Sequence, residues 1–376
     1  MKRKRILCAA LILAMSVCMA GCSGCSGRET ENSFTPKPVD GTALLFDEGM
    51  QYYNVAPAVV EESESVRYVF YAVNKTADAE DTAVAVRKGE KNGETWTYGE
   101  KKVIIERSAS GWDSAHIENP DVVKGSFGYR GETYSYLMAY QGNDAKTEDN
   151  YSVGLAVAKD PLGEWTKVGE TAVLSYDKTG YGSAFGIGEP SLVSFDKAGK
   201  VYLFHTMGDM YTTGVYVAEL DCSDLGAIKG AGISNAVSNY GITDPGAPLP
   251  TFSDANFKLD TLSETLYTVR NYYPVAAVKP SLPTAVQVLK MPVADLYKPT
   301  AAWEVIETQV NDLDLATETT DGWERVYSGC IVGDAYGHTD GAKMLELVLS
   351  VTSYDKTTFE YRFYQGLTSF SLTLED

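Results

Sequence analysis

Four residue–proline pairs are spread along the chain: Ala56-Pro57, Asn119-Pro120, Glu189-Pro190 and Asp244-Pro245. Two of the leading residues, Glu189 and Asp244, are carboxylic acids lying far apart in sequence. Two carboxyl groups brought to one place can divide acid–base work, one protonating a leaving oxygen while the other activates water. Cleavage of a glycosidic bond needs that division. A second set of candidates is local: Trp112, Asp113, His116, Glu118 and Asp121. A Trp ring can stack on the face of a sugar, and acids and His can hydrogen-bond its hydroxyls. Turn and loop capping is the competing reading for Asp113 and Asp121. Arg270, at the end of an apolar run, can orient a carboxylate or a sugar hydroxyl, or serve as a surface cation. His205 reads as a core or edge histidine, and His338 as part of a surface hairpin loop. With three His and no paired spacing, no zinc site is expected. No phosphate loop or dinucleotide fingerprint is present, so no cofactor is expected.

The elements that must carry these residues recur along the chain. From Gly186 to Asp209, an alternating run (Ser191 to Phe195), a tight Asp/Gly turn and a second alternating run (Val201 to Thr206) spell a β-hairpin. Weaker copies occur on both sides. The first unit holds Ala56 to Val60, Tyr68 to Tyr71 and Thr82 to Val86, and ends near Trp96. The second holds Asn119 to Val123, Tyr134 to Tyr140 and Ser152 to Ala158, and ends at Trp165. The third begins with the Gly186 stretch and continues through Gly214 to Leu220. The fourth is expected to start at Asp244-Pro245 and run through Thr265 to Arg270 and Ala285 to Met291, to Trp303. The fifth lacks the proline and runs from Tyr327 through Met344 to Thr352 and Thr358 to Gln365. The prolines stand 63, 70 and 55 residues apart, room for about four strands per unit. Five such units predict an all-β, five-bladed β-propeller over 42–376, with a pair of β-sandwiches as the alternative. Ala43 to Phe46 can pair into the last blade and close the ring, which removes unpaired strand edges. In a propeller the innermost strand of each blade lines a central channel. Ala56, Asn119, Glu189 and Asp244 are therefore expected around one funnel.

Glu189-Pro190-Ser191-Leu192, with Phe195-Asp196 and Gly199-Lys200-Val201-Tyr202-Leu203, is similar to the Asp-Pro-Ser-x-Phe-x-Asp-x-x-Gly-Lys-x-Tyr-Leu pattern of glycoside hydrolase family 43. The likeness is specific over about one blade and follows the remainder in outline. It implies a five-bladed propeller with this pattern in the third blade. The activities it implies are those of β-xylosidases, arabinanases and arabinofuranosidases. It further implies a general base at Ala56, a proton-affinity-tuning acid at Glu189 and a general acid at Asp244. Alanine cannot accept a proton from water. Two functions therefore stay open. One is glycoside hydrolysis by Glu189, Asp244 and Asp121, with Trp112, Asp113, His116 and Arg270 binding substrate. The other is sugar binding without turnover, which Ala56 favours.

The N-terminus carries its own signals. Lys2 to Arg5 is cationic, Ile6 to Met19 is a short apolar run, and Met19-Ala20-Gly21-Cys22 resembles the lipobox of bacterial lipoproteins. This implies a signal peptide over 1–22, lipid on Cys22, a flexible Ser/Gly/Pro-rich tether over 23–41 and an extracytoplasmic, membrane-anchored monomer. The formal charge of −19 becomes more negative once Lys2 to Arg5 are removed, which argues against nucleic acid as a partner. Cys222 and Cys330 are the body's two cysteines. Export permits them a disulfide, and two unpaired thiols are the other possibility.

Overall fold

A computed structural model describes residues 44–46, 53–75, 81–145, 149–177, 179, 182, 184–209, 212–245, 251–273, 283, 285–311, 325–355 and 360–374. The expected leader and tether, with Cys22, lie outside the described residues.

Alternating apolar runs joined by tight turns pair into five antiparallel sheets. The first sheet contains β1 (Val55–Ser63), β2 (Val66–Asn74), β3 (Thr82–Asn92), β4 (Thr95–Tyr98) and β5 (Lys102–Glu106). The second contains β6 (His116–Tyr129), β7 (Glu132–Asn143), β8 (Ser152–Ala158) and β9 (Thr166–Lys167). The third contains β10 (Gly186–Ser194), β11 (Lys200–Gly208), β12 (Thr213–Asp221) and β13 (Asn235–Ala236). The fourth contains β14 (Asn256–Asp260), β15 (Thr265–Tyr272), β16 (Ala285–Pro292) and β17 (Glu304–Asn311). The fifth contains β18 (Arg325–Ile331), β20 (Met344–Asp355) and β21 (Glu360–Thr373). The short β19 (Gly333–Asp334) leaves that blade and pairs in parallel with β1.

Five apolar cores join these sheets in cyclic order, so the chain is a five-bladed β-propeller. Val123 and Leu137 of the second blade meet Leu192 and Leu203 of the third. Phe204 of the third stacks on Phe257 of the fourth at 3.9 Å between ring centroids. Val269 of the fourth packs with Leu347 of the fifth. Val59 and Tyr71 of the first meet Cys330 and Val348 of the fifth. Phe70 and Val84 of the first meet Met138 and Ala156 of the second. Cys222 and Cys330 are both buried as free thiols, and they belong to two different cores.

Residues 44–46 close the ring. Leu44 bridges Thr368 on the outer strand of the fifth blade, and the Leu45 N–H donates to the Leu367 carbonyl at 2.8 Å. Phe46 packs on Tyr71 and Tyr98 of the first blade. A chain lacking residues 1–46 is expected to lose about 2–4 kcal/mol, the worth of the three half-buried side chains Leu44, Leu45 and Phe46. Urea melts of the truncated and full proteins measure this.

The connection between β18 and β20 runs under the channel, contrary to the expectation of a surface hairpin there. Its backbone carbonyls accept hydrogen bonds from Lys124, Ser194 and Leu259 of three other blades, and β19 lies along Val60 and Glu61 of a fourth. Gly337, at φ +80°, permits this close approach, since a Cβ there would stand 3.0 Å from the Leu192 carbonyl oxygen. His338 is consequently buried, with Nε2 against the Ser194 carbonyl. The channel is plugged at this end, and a cavity lies at the other.

Candidate active site

At the open end, each blade's inner strand begins with the same irregularity. Ala56, Asn119, Glu189, Asp254 and Ser328 all have positive φ, between 43° and 53°. Residues with a Cβ rarely adopt this left-handed conformation. In four blades it coincides with a register shift between the inner strand and its neighbour. A bulge of this kind re-aims a side chain out of the strand's alternation. Together the five residues, with Pro57, Pro120, Pro190, Ala255, Asn256 and Gly329, line a cavity of about 30 Å³, room enough for water.

A chain of hydrogen bonds runs along this rim from the first blade through the fifth, fourth and third to the second. The Ala56 N–H donates to Ser350 Oγ (3.1 Å), and Ser350 Oγ donates to the Ser328 carbonyl (3.0 Å). Ser328 N–H donates to Asn271 Oδ1 (2.8 Å), and Ser328 Oγ to Asp254 Oδ1 (3.2 Å). Asn271 Nδ2 donates to Asp254 Oδ2 (2.8 Å). The Asp254 N–H donates to Glu189 Oε2 (2.6 Å), and the Glu189 N–H to Gln141 Oε1 (2.6 Å). Gln141 Nε2 donates to Glu118 Oε1 (3.0 Å). Two acids from different blades, Glu189 and Asp254, are thus held side by side in the cavity wall.

Their environments make them unlike. Burial first, and then the negative charge of Asp254, push the Glu189 carboxyl up to about 8. The Thr206 hydroxyl and the Asp254 N–H oppose this, and Glu118 adds to it. Glu189 therefore keeps its proton at neutral pH. Asp254 uses both oxygens as acceptors, from Asn271 and Ser328.

The candidates read from sequence fall into two groups. Ala56, Asn119 and Glu189 line the cavity as expected. Asp244 does not. The inner strand of the fourth blade starts at Asn256, so the rim position belongs to Asp254. Asp244 instead makes a buried ion pair with Arg270, whose Nη1 donates to both carboxylate oxygens at 3.0 and 3.1 Å. Arg270 is thereby spent on structure and does not reach the cavity lining.

Asp121 lies one layer beneath the rim, because the bulge at Asn119-Pro120 shifts the strand's register before it. It accepts hydrogen bonds from Ser191 Oγ (3.0 Å), Leu192 N–H (2.8 Å) and Asn256 Nδ2 (3.1 Å), with Lys258 Nζ 3.8 Å away. It ties three blades together. Asp113 is buried against Lys167 Nζ (2.6 Å) and the Tyr140 hydroxyl (3.1 Å). Trp112 stacks on Tyr140 and fills the space left by Gly154, so one of its faces is already covered. His116 is buried at the start of β6. His205 is buried too, and its ring is pushed down to about 4 by that burial, leaving it neutral at pH 7.

No protein-family model and no curated protein matches the sequence. Solved structures do match. A family 117 glycoside hydrolase of the marine bacterium Zobellia galactanivorans is 15% identical over 87% of this chain and 88% of its own, with a TM-score of 0.53. The α-L-arabinofuranosidase of Lactobacillus brevis is 13% identical over 86% and 93%, with a TM-score of 0.54. The GH43_1 enzyme of Xanthomonas citri complexed with xylotriose is 13% identical over 89% and 90%, also at 0.54. The chain has the fold of the five-bladed propeller glycoside hydrolases. At these identities the likeness is one of fold, and function must be argued from the site.

Asp254 and Ser328 escaped the sequence reading because neither precedes a proline. Hairpin length was the available signal. Asp254 stands 11 residues before the next strand at Thr265, as Glu189 stands 11 before Lys200, whereas Asp244 stands 21 before it.

Proposed function

We propose that this protein is a glycosidase carried on a lipid-anchored propeller. One observation carries the reading: Glu189 and Asp254, acids from two blades, stand side by side in the wall of an axial cavity. An acid whose proton affinity is raised, beside a carboxylate from another blade, suits an acid/base pair. Glu189 donates a proton to the leaving oxygen, and Asp254 is the partner that handles water. Among the described residues the cavity lining carries no cation, which suits an uncharged sugar. The fold's likeness to glycoside hydrolase structures supports the same class of chemistry. A panel of neutral nitrophenyl glycosides, assayed beside sugar-binding calorimetry, tests this. Turnover by the wild type is the expected result, and binding without turnover overturns it.

That second outcome has its own support in Ala56, which places a methyl group where the family resemblance implies a base. A sugar-binding protein that has lost hydrolysis would bind through the same rim. Ala56→Asp would then be expected to create turnover that the wild type lacks.

The anchor is Cys22, with residues 23–41 as its tether. Cys22→Ser is expected to move the protein from the membrane fraction to the soluble one, as read by fractionation and immunoblotting. Retention in the membrane would place the anchor elsewhere.

A further inference from the structure

Glu189 enters the cavity from a left-handed backbone at φ 51°. Something must hold that conformation, and the contact that does so comes from another blade. Gln141, on β7 of the second blade, reaches across to accept the Glu189 N–H at 2.6 Å. The approach is open because residue 188 is glycine: a Cβ there would lie 2.3 Å from Gln141 Oε1. The Glu189 N–H can only donate, so it takes the carbonyl end of Gln141 and leaves the amino end for a second partner. That partner is Glu118, the cross-strand neighbour of Gln141 on β6. Its Oε1 accepts from Gln141 Nε2 at 3.0 Å. An ionised carboxylate only accepts, so it draws the amino end of Gln141 and leaves the carbonyl end facing Glu189.

We infer that Glu118 is a positioning residue for Glu189, acting through Gln141 to fix the backbone from which the acid enters the cavity. This rests on reading Glu189 as the proton donor. Glu118 also acts through space. The charged groups that face Glu189 are Asp254 from the fourth blade and Glu118 from the second, both anionic, and both favour the protonated carboxyl. The polar groups on it, the Thr206 hydroxyl and the Asp254 N–H, work the other way.

Two variants of the full chain separate these effects. Glu118→Gln keeps an acceptor for Gln141 and removes the charge. The Glu189 titration, followed by carboxyl ¹³C NMR, is expected to move down by roughly half to one pH unit. The high-pH limb of the rate profile should move with it, while turnover at pH 6 stays within about twofold. Glu118→Met removes the acceptor as well and frees the Gln141 amide to turn. Turnover at pH 6 is then expected to fall by about tenfold or more through misplacement of the acid. The Glu189 amide ¹H–¹⁵N peak reads the link itself and is expected to move much further in Glu118→Met than in Glu118→Gln; equal peak positions in the two variants, or in Glu118→Leu and Glu118→Gln should Glu118→Met not fold, overturn the inference. Neither NMR measurement needs turnover, so an inactive wild type counts against the glycosidase reading alone and leaves the Glu118 link to be decided by the amide peak.

Discussion

Glu189→Gln is expected to abolish glycoside turnover and, at neutral pH, to make the fold more stable. The first effect follows from the proton. A positioned general acid contributes about 10²–10⁴-fold to rate, and the amide has no proton to give, so kcat should fall by that factor while sugar binding persists. The wild-type rate should decline above about pH 8, where Glu189 loses its proton.

The second effect follows from linkage. The folded carboxyl holds its proton to about pH 8, whereas the unfolded one releases it near 4.5. Between those values the unfolded state binds fewer protons than the folded state, so wild-type stability declines as pH rises and levels off above about 8. At roughly 1.4 kcal/mol per unit, the upper bound on this cost is ~5 kcal/mol. Glu189→Gln removes the titrating group and should flatten the pH dependence across that window. Chemical denaturation at pH 5, 7 and 8.5 reads the slope. A variant that keeps full turnover, or wild-type stability that does not decline between pH 5 and 8, would remove Glu189 as the proton donor.

Asp244→Ala is expected to be the most destabilising single change near the site, by about 3–5 kcal/mol, because it strands a buried guanidinium. Arg270 is fully buried, and burial, only partly opposed by Asp244, pulls its proton affinity below the ordinary value. The pair also gathers backbone from three places. Asp244 accepts the Thr251 and Tyr273 N–H groups, and Arg270 donates to the Thr243, Thr251 and Asn271 carbonyls. It therefore ties together the strand carrying Asn271 and the segment leading to Asp254. A double variant, Asp244→Leu with Arg270→Met, removes both charges and should recover part of the loss. Urea melts of the single and double variants give the coupling. A single variant with wild-type stability but no turnover would return Asp244 to the chemistry.

What surrounds each acid sets its role, and those surroundings are where the sequence stops being enough. Alternation, turn residues and the recurrence of hairpin-rich units determine the blades, because a strand's period of two and its turn chemistry are local properties. The pairing of 44–46 into the last blade follows as well, since an unclosed ring leaves edges bare. Glu189 was legible because proline after it and a tight Asp/Gly hairpin behind it mark the start of an inner strand.

Tertiary structure alone decided the rest. Asp244 and Asp254 are ten residues apart and chemically identical, yet one is neutralised by Arg270 and the other reaches the axis. The difference lies in where β14 begins. Asp121 and Glu189 both flank a proline, but the bulge beneath Asn119 sends Asp121 into the layer that binds blades together. His338 sits in a loop with every mark of the surface, and backbone hydrogen bonds from three other blades bury it as the channel's plug. A side chain's neighbours round a closed ring come from blades distant in sequence, and proton affinity is set by those neighbours and by exclusion of water.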